Sequence, residues 1–391
     1  MFTPEQIAWL ASAEEAQPWL KKLTQAPPDN GALLGELTRL RQHFSASQAQ
    51  ALVTLARLRQ RARKKFPMHA HRLFFTSKAL QQASPAAVAR WTAQRYRHAS
   101  WVADMGCGMG GDALAIASLG SRVLAIDRDP LAIALVKANA SALGQSHIHP
   151  LRANITQPGW KIPIAWADPG RRNPTHRVFH PETLQPPLSA LLQVQRTIAP
   201  HLGVKLMPGL HHRHIPPGIE VEWISLKHEL KECVFWFGDL AEREGRRATV
   251  LPAGKSLWSE GHKAPLNPPG HFLYEPDPAV IRAGAVGDLA NQLQLWQIDR
   301  EIAYLCGDRL VITPFARTWR ILEHHPFHLK RLNQRLRGMG AEVIAVKKRG
   351  SPIDPEAFRK KLHRSRKGRP VVVVLTRVNN RPWMLICETL P

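Results

Sequence analysis

Acidic residues are few for a chain of this size. Of 391 residues only 30 are Asp or Glu, against 54 Lys or Arg, which gives a formal net charge of +24 and a sequence pI near 10.7. A surplus that large suits a polyanionic partner, because each phosphate neutralised releases counterions; a merely soluble basic protein is the bland alternative. Cysteine is scarce too. Cys107, Cys233, Cys306 and Cys387 lie far apart with no C-x-x-C pair, which argues against a zinc site or a disulfide framework and leaves four reduced thiols expected. No apolar run approaches bilayer length, so no membrane partner is expected. The first residues, MFTPEQIAWLASAEE, are acidic and interrupted where a secretion signal would be basic and then continuously apolar, and the expected location is cytoplasmic. Internal repeats and low-complexity segments are missing as well. The histidines at 211 to 214 (HHRH) have no carboxylate or cysteine at ligand spacing, so no metal is expected there.

What is present reads as several kinds of structure in succession. Residues 1–67 are expected to be helical: Ser45-Ala-Ser-Gln48 has capping-box form, Leu52, Leu55 and Leu58 recur at helical spacing, and Arg57, Arg59, Arg61, Arg63, Lys64 and Lys65 load the end of the same helix. From Trp101 short apolar runs alternate with helical stretches, which predicts a parallel sheet covered by helices over residues 68–250, closed by an antiparallel pair. Residues 251–308 are expected to be a Pro/Gly-rich linker and a connecting helix. Residues 309–391 alternate strand, helix, strand, helix, strand, strand, a small split β-α-β sandwich of α+β, ferredoxin-like type.

The stretch ADMGCGMGGDALAIASLGSRVLAID, residues 103–127, satisfies G-x-G-x-x-G and so first suggests a nicotinamide or flavin dinucleotide. Asp104, two residues before Gly106, argues otherwise. A carboxylate aimed into the loop would repel a pyrophosphate and hold an ammonium group. S-adenosylmethionine (SAM) carries an ammonium and a sulfonium and has no phosphate. Asp127, ending the second strand, suits ribose hydroxyls in either case.

These residues resemble the class I SAM-dependent methyltransferases, whose first motif has the form D-x-G-x-G-x-G; Asp104, Gly106, Gly108 and Gly110 match it. The resemblance implies a Rossmann-like sheet, SAM as cofactor, Asp127 on the ribose, and Asn154 where the family often has an Asp bonding the adenine amine. At the end of the fourth strand, IAWADPGRRNP places Asp168 and Pro169 where methyltransferases of exocyclic amines read D/N-P-P-aromatic. Gly170 and Arg171 depart from that pattern and weaken the amine reading, while Asp168 could still orient or deprotonate an acceptor. Arg171 and Arg172 could grip a phosphate, or pair with Asp168 and Asp112.

Three further stretches, FFTSKALQQASPAAVARWTAQRY, DPGRR and FLYEPDPAVIRAGAV, narrow the resemblance to bacterial methyltransferases ending in a THUMP-like domain. In other enzymes THUMP domains present RNA to the active site, so this resemblance implies ribosomal or transfer RNA as substrate. Between Lys330 and Arg369 there are 14 Lys and Arg and 3 acids, a surplus of 11 that makes Lys347, Lys348 and Arg349 candidate phosphate contacts; a solvated face is the alternative. The expected function is a SAM-dependent methyltransferase of structured RNA, with methylation of a protein or small molecule, or non-catalytic RNA binding, as the rivals.

Overall fold

The computed structural model describes residues 2–156, 162–171, 180–363, 365 and 368–390, with Arg171 by its backbone alone. It divides into two compact units, residues 1–221 with 231–244, and residues 222–230 with 245–391.

The first unit begins with the helices Pro4–Ser12, Gln17–Gln25, Leu33–Leu40 and Ala46–Ala62. The capping box expected at Ser45 forms: its hydroxyl accepts from Gln48 N–H, and Gln48 returns a bond to the Ser45 N–H. Two of the cations at the basic end of that helix turn inward, while Arg61, Arg63 and Lys64 stay exposed. Arg59, 6% exposed, donates to the carbonyls of Leu73 and Arg72 and to the Thr24 hydroxyl. Lys65 donates to the carbonyls of Leu80, Gln81 and Ala83, around the end of the helix Ser77–Gln82. These cations satisfy backbone oxygens, of which the Leu73 carbonyl is buried and those of Arg72, Leu80 and Ala83 are partly so.

The sheet of the first unit contains β1 (Trp101–Met105), β2 (Arg122–Asp127), β3 (Ile148–Arg152), β4 (Ile164–Ala167), β5 (His201–Leu206) and β6 (Glu229–Trp236). Their order is β6-β5-β4-β1-β2-β3, parallel except for β6, which runs antiparallel to β5. Strand order reverses between β1 and β4, and the crevice at the carboxyl ends of such neighbours is where open α/β sheets bind ligands. The helices Gly111–Ala117 and Pro130–Leu143 connect β1 to β2 and β2 to β3, the crossover that parallel neighbours require.

In the second unit the strands Gly245–Leu251 and Lys255–Trp258 form a hairpin. A seven-stranded sheet follows, and its last part runs Ala316–Pro326, helix Leu329–Gly338, Ala341–Lys348, short helix Pro355–Arg359, Arg369–Val378 and Arg381–Thr389. The run of valines at 371–374 is buried on both faces: Val372 and Val374 pack with Leu273, Trp319 and Leu385, whereas Val371 and Val373 pack with Leu332, Leu336 and Phe358.

The stretch read as a linker differs from expectation. Phe272–Pro276 is a strand paired along Ala316–Pro326, Leu305–Gly307 pairs on its other side, and two helices, Pro278–Ala283 and Val286–Leu293, replace the single one expected. Its prolines and glycines break the chain into short elements, yet Leu273 and Tyr274 are fully buried.

Candidate active site

The glycine loop between β1 and the helix Gly111–Ala117 is shaped by positive backbone angles, with φ of +84° at Gly106 and +85° at Gly110. Side chains are excluded at both. A Cβ on Gly106 would lie 2.9 Å from the Asp168 carbonyl oxygen, and one on Gly110 would lie 2.6 Å from Val136 Cγ2. The loop therefore rests directly on the backbone at the end of β4. Gly108 N–H donates to Asp127 Oδ2 at 3.1 Å, while Asp127 Oδ1 accepts from Asp129 N–H at 2.9 Å. Asn139, fully buried, bonds both backbone groups of Phe74 and the Met109 carbonyl, and so ties the segment before β1 to the loop.

Around this loop the protein concentrates acids. Asp104 is 1% exposed, and among the described residues neither of its carboxylate oxygens has a hydrogen-bond partner. Burial, and then the charges of Asp112, Asp168 and Asp127, push its carboxyl well above the ordinary range, against a smaller pull from Lys205. Burial likewise raises Asp112. Asp168 is held by Lys205, whose Nζ donates to Oδ2 at 2.7 Å. Burial alone would lower the Lys205 ammonium, but Asp168, Asp112 and Glu232 outweigh it and raise it above its usual value. Glu232, on β6, accepts from the Ser84 hydroxyl at 3.0 Å, and burial lifts its carboxyl to about 8.

The sequence reading missed Lys205 and Glu232. The available signal was a charged residue in each of the apolar runs HLGVKL and ECVFW, whose other residues are all buried except His201. The structure places Asp104, Gly106, Gly108, Gly110, Asp127, Asp168 and Pro169 at the carboxyl ends of β1, β2 and β4. Asn154 is exposed at the end of β3, and its Oδ1 accepts from the Thr156 N–H and hydroxyl. The Gly170–Arg171 backbone pairs with Leu184–Gln185. Arg172 lies outside the described residues.

In the second unit, Lys347 pairs with Glu275 Oε2 at 2.5 Å and lies over the Trp319 ring, and Arg349 reaches Glu275 at 4.0 Å and lies over Tyr304. Lys348 is exposed. Among the described residues no His, Cys, Asp and Glu cluster fit for a metal occurs, and no helix is long and apolar enough to cross a membrane.

Comparison with known proteins gives the site a chemistry. Residues 316–389 match the family described as THUMP domain-like, and residues 3–62 match one described as Domain of unknown function (DUF8688). An uncharacterized S-adenosylmethionine-dependent methyltransferase of Mycobacterium tuberculosis, found in strains CDC 1551 and H37Rv, is 36% identical over 309 residues, 78% of this chain and 84% of the relative. The chain belongs to the S-adenosylmethionine-dependent methyltransferases. A crystal structure of a proposed methyltransferase from Porphyromonas gingivalis W83 shares the fold, with a TM-score of 0.73 at 17% identity over 93% of this chain and all of that one.

The residues of this methyltransferase fit its cofactor. Asp104 is a buried carboxylate with both oxygens unpartnered, and it sits among further acids in a protein whose net charge is +24. That field suits an ammonium and a sulfonium and opposes a pyrophosphate. The dinucleotide suggested by the glycine pattern is thereby set aside on charge.

Proposed function

We propose that this methyltransferase modifies structured RNA, ribosomal or transfer, in the cytoplasm, with the cofactor held by the first unit and RNA by the basic second one. The observation that carries the reading is the helix Leu329–Gly338. Leu332 and Leu336 are fully buried, while Lys330, Arg331 and Arg337 are exposed, and Lys348, Lys360 and Lys361 add exposed cations elsewhere on the THUMP-like fold. Of the three residues first singled out, Lys348 remains the best phosphate contact, because Lys347 and Arg349 are engaged by Glu275. Backbone contacts of this kind position an RNA without reading its sequence.

Bound SAM supplies a methyl group activated by its sulfonium. In this reading Asp104 takes the ammonium, Asp127 the ribose hydroxyls and Asn154 the adenine amine through whatever its turn leaves available. The loop glycines let the backbone approach closely, Asp168 and Pro169 line the acceptor side, and Arg171 and Arg172, next in sequence, are the residues expected to meet the substrate. Transfer in such a site needs chiefly an aligned nucleophile and a prepared field. The test is methyl transfer from tritiated SAM into RNA purified from cells lacking the gene. Label in the RNA supports the reading; label confined to protein or small molecules refutes it.

A further inference from the structure

We infer that the methyl acceptor is a hydroxyl, the ribose 2′-OH, and that Asp168 takes its proton while the Lys205 ammonium paired with it favours the charge developing on the oxygen; this rests on the RNA reading above. Three observations converge. First, the residues after Asp168-Pro169 are Gly170 and Arg171, so the chain offers no aromatic ring at that place to stack on a base. Second, Asp168 is already half engaged: Oδ2 takes a bond from Lys205 Nζ at 2.7 Å, and its backbone carbonyl lies against Gly106. A planar amine needs acceptors for two N–H groups, whereas a hydroxyl needs one, and Oδ1 provides it. Third, Lys205 Nζ sits 2.7 Å from Asp168 Oδ2, and the charges of Asp168, Asp112 and Glu232 together raise its ammonium above its usual value.

That charge discriminates between acceptors. A nitrogen attacks with its lone pair and builds positive charge before losing a proton, which a neighbouring ammonium opposes. A hydroxyl is a weak nucleophile until its proton starts to leave, and the ammonium favours the negative charge that develops on oxygen. In the step, the hydroxyl oxygen forms a bond to the methyl carbon as the carbon–sulfur bond breaks and its electron pair stays on sulfur. The proton passes to Asp168 Oδ1 and on to solvent. Side-chain exposure fits these roles: Asp168 is 30% exposed and Lys205 14%.

The experiment digests RNA labelled by the enzyme with alkali, which cleaves next to a free 2′-OH and spares a 2′-O-methylated ribose. Label in alkali-stable dinucleotides is the expected result. Label in base-methylated mononucleotides overturns the inference and leaves the RNA reading standing; label absent from RNA overturns both. Lys205→Met should lower turnover at least about 100-fold at saturating RNA, with SAM affinity by calorimetry and RNA affinity by filter binding changed less than about threefold, and Lys205→Arg should recover part of it. If Lys205→Met does not fold, Asp168→Asn keeps the shape and a bond to Lys205 and should show the same split. A variant that turns over as the parent does, or that loses SAM affinity in proportion to activity, refutes the role given to the pair.

Discussion

Replacing Asp104 by Asn separates what this carboxylate does for binding from what it does for folding. Neither of its oxygens has a partner, so an isosteric amide breaks no hydrogen bond. Its folded-state pKa lies well above the ordinary value, raised by burial and by Asp112, Asp168 and Asp127, so the folded chain holds this proton over a range where the unfolded chain has released it. Stability must then fall as pH rises from about 4, the unfolded value, up to the folded one. Asp104→Asn abolishes that contribution. Without SAM the variant should melt no lower than the parent, and its advantage should grow with pH through that window. With SAM the order reverses. An ammonium–carboxylate contact is worth about 1.5–3 kcal/mol, so affinity should drop about 10- to 150-fold. Scanning fluorimetry across pH, with and without SAM, reads both effects, and calorimetry gives the affinities. In the parent, binding should tighten as pH rises, because the ammonium favours the ionised carboxylate. A variant that binds SAM as tightly as the parent, or one destabilised at every pH without SAM, refutes the assignment.

Reversing Lys330, Arg331 and Arg337 together to Glu should flatten the log–log salt dependence of RNA binding by about two to three units while leaving SAM affinity intact, measured by filter binding at several salt concentrations. Lys347→Glu, which sets a carboxylate against Glu275, should instead lower the melting temperature of the protein. Arg59→Leu strands the carbonyls of Leu73 and Arg72 and should cost about 2–4 kcal/mol in denaturant unfolding, with no change in the salt slope of RNA binding. Asn154→Ala should weaken SAM less than Asp104→Asn does, since its amide oxygen already serves Thr156, and calorimetry on the two variants compares them directly.

The parallel core of the first unit was legible because strands buried on both faces must be apolar throughout, and WVADM, RVLAID and IAWA stand out from the helices between them. The glycine loop was legible for a local reason: close approach and positive φ leave glycine little competition at Gly106 and Gly110. Residues 251–308 were harder, because Phe272–Pro276 finds its partners at Ala316–Arg320, and nothing near the strand in sequence announces that pairing. The same distance hid half of the site. Lys205 lies 37 residues from Asp168 and Glu232 lies 148 from Ser84, so each looked like an interruption in a strand.

Charge was legible in amount and not in place. The run from Arg57 to Lys65 looks like a surface for phosphate, but Arg59 and Lys65 spend their donors on backbone carbonyls. Lys347 and Arg349 look equally available and are held by one glutamate. Conversely, a net charge of +24 conceals a cluster of acids, Asp104, Asp112, Asp127 and Asp168, at the ends of β1 and its neighbours. The two signs serve different ligands in this reading. Exposed cations on the second unit attract a polyanion through long-range, salt-sensitive forces, whereas the buried acids act at short range in a low dielectric on a cation that must be desolvated to enter. A purely acidic crevice would repel the RNA backbone from the reacting edge. In the proposed reading Lys205, whose Nζ lies 2.7 Å from Asp168 Oδ2, offsets one of these acids beside the acceptor, so the pair would separate the field that holds the cofactor from the one that admits the substrate.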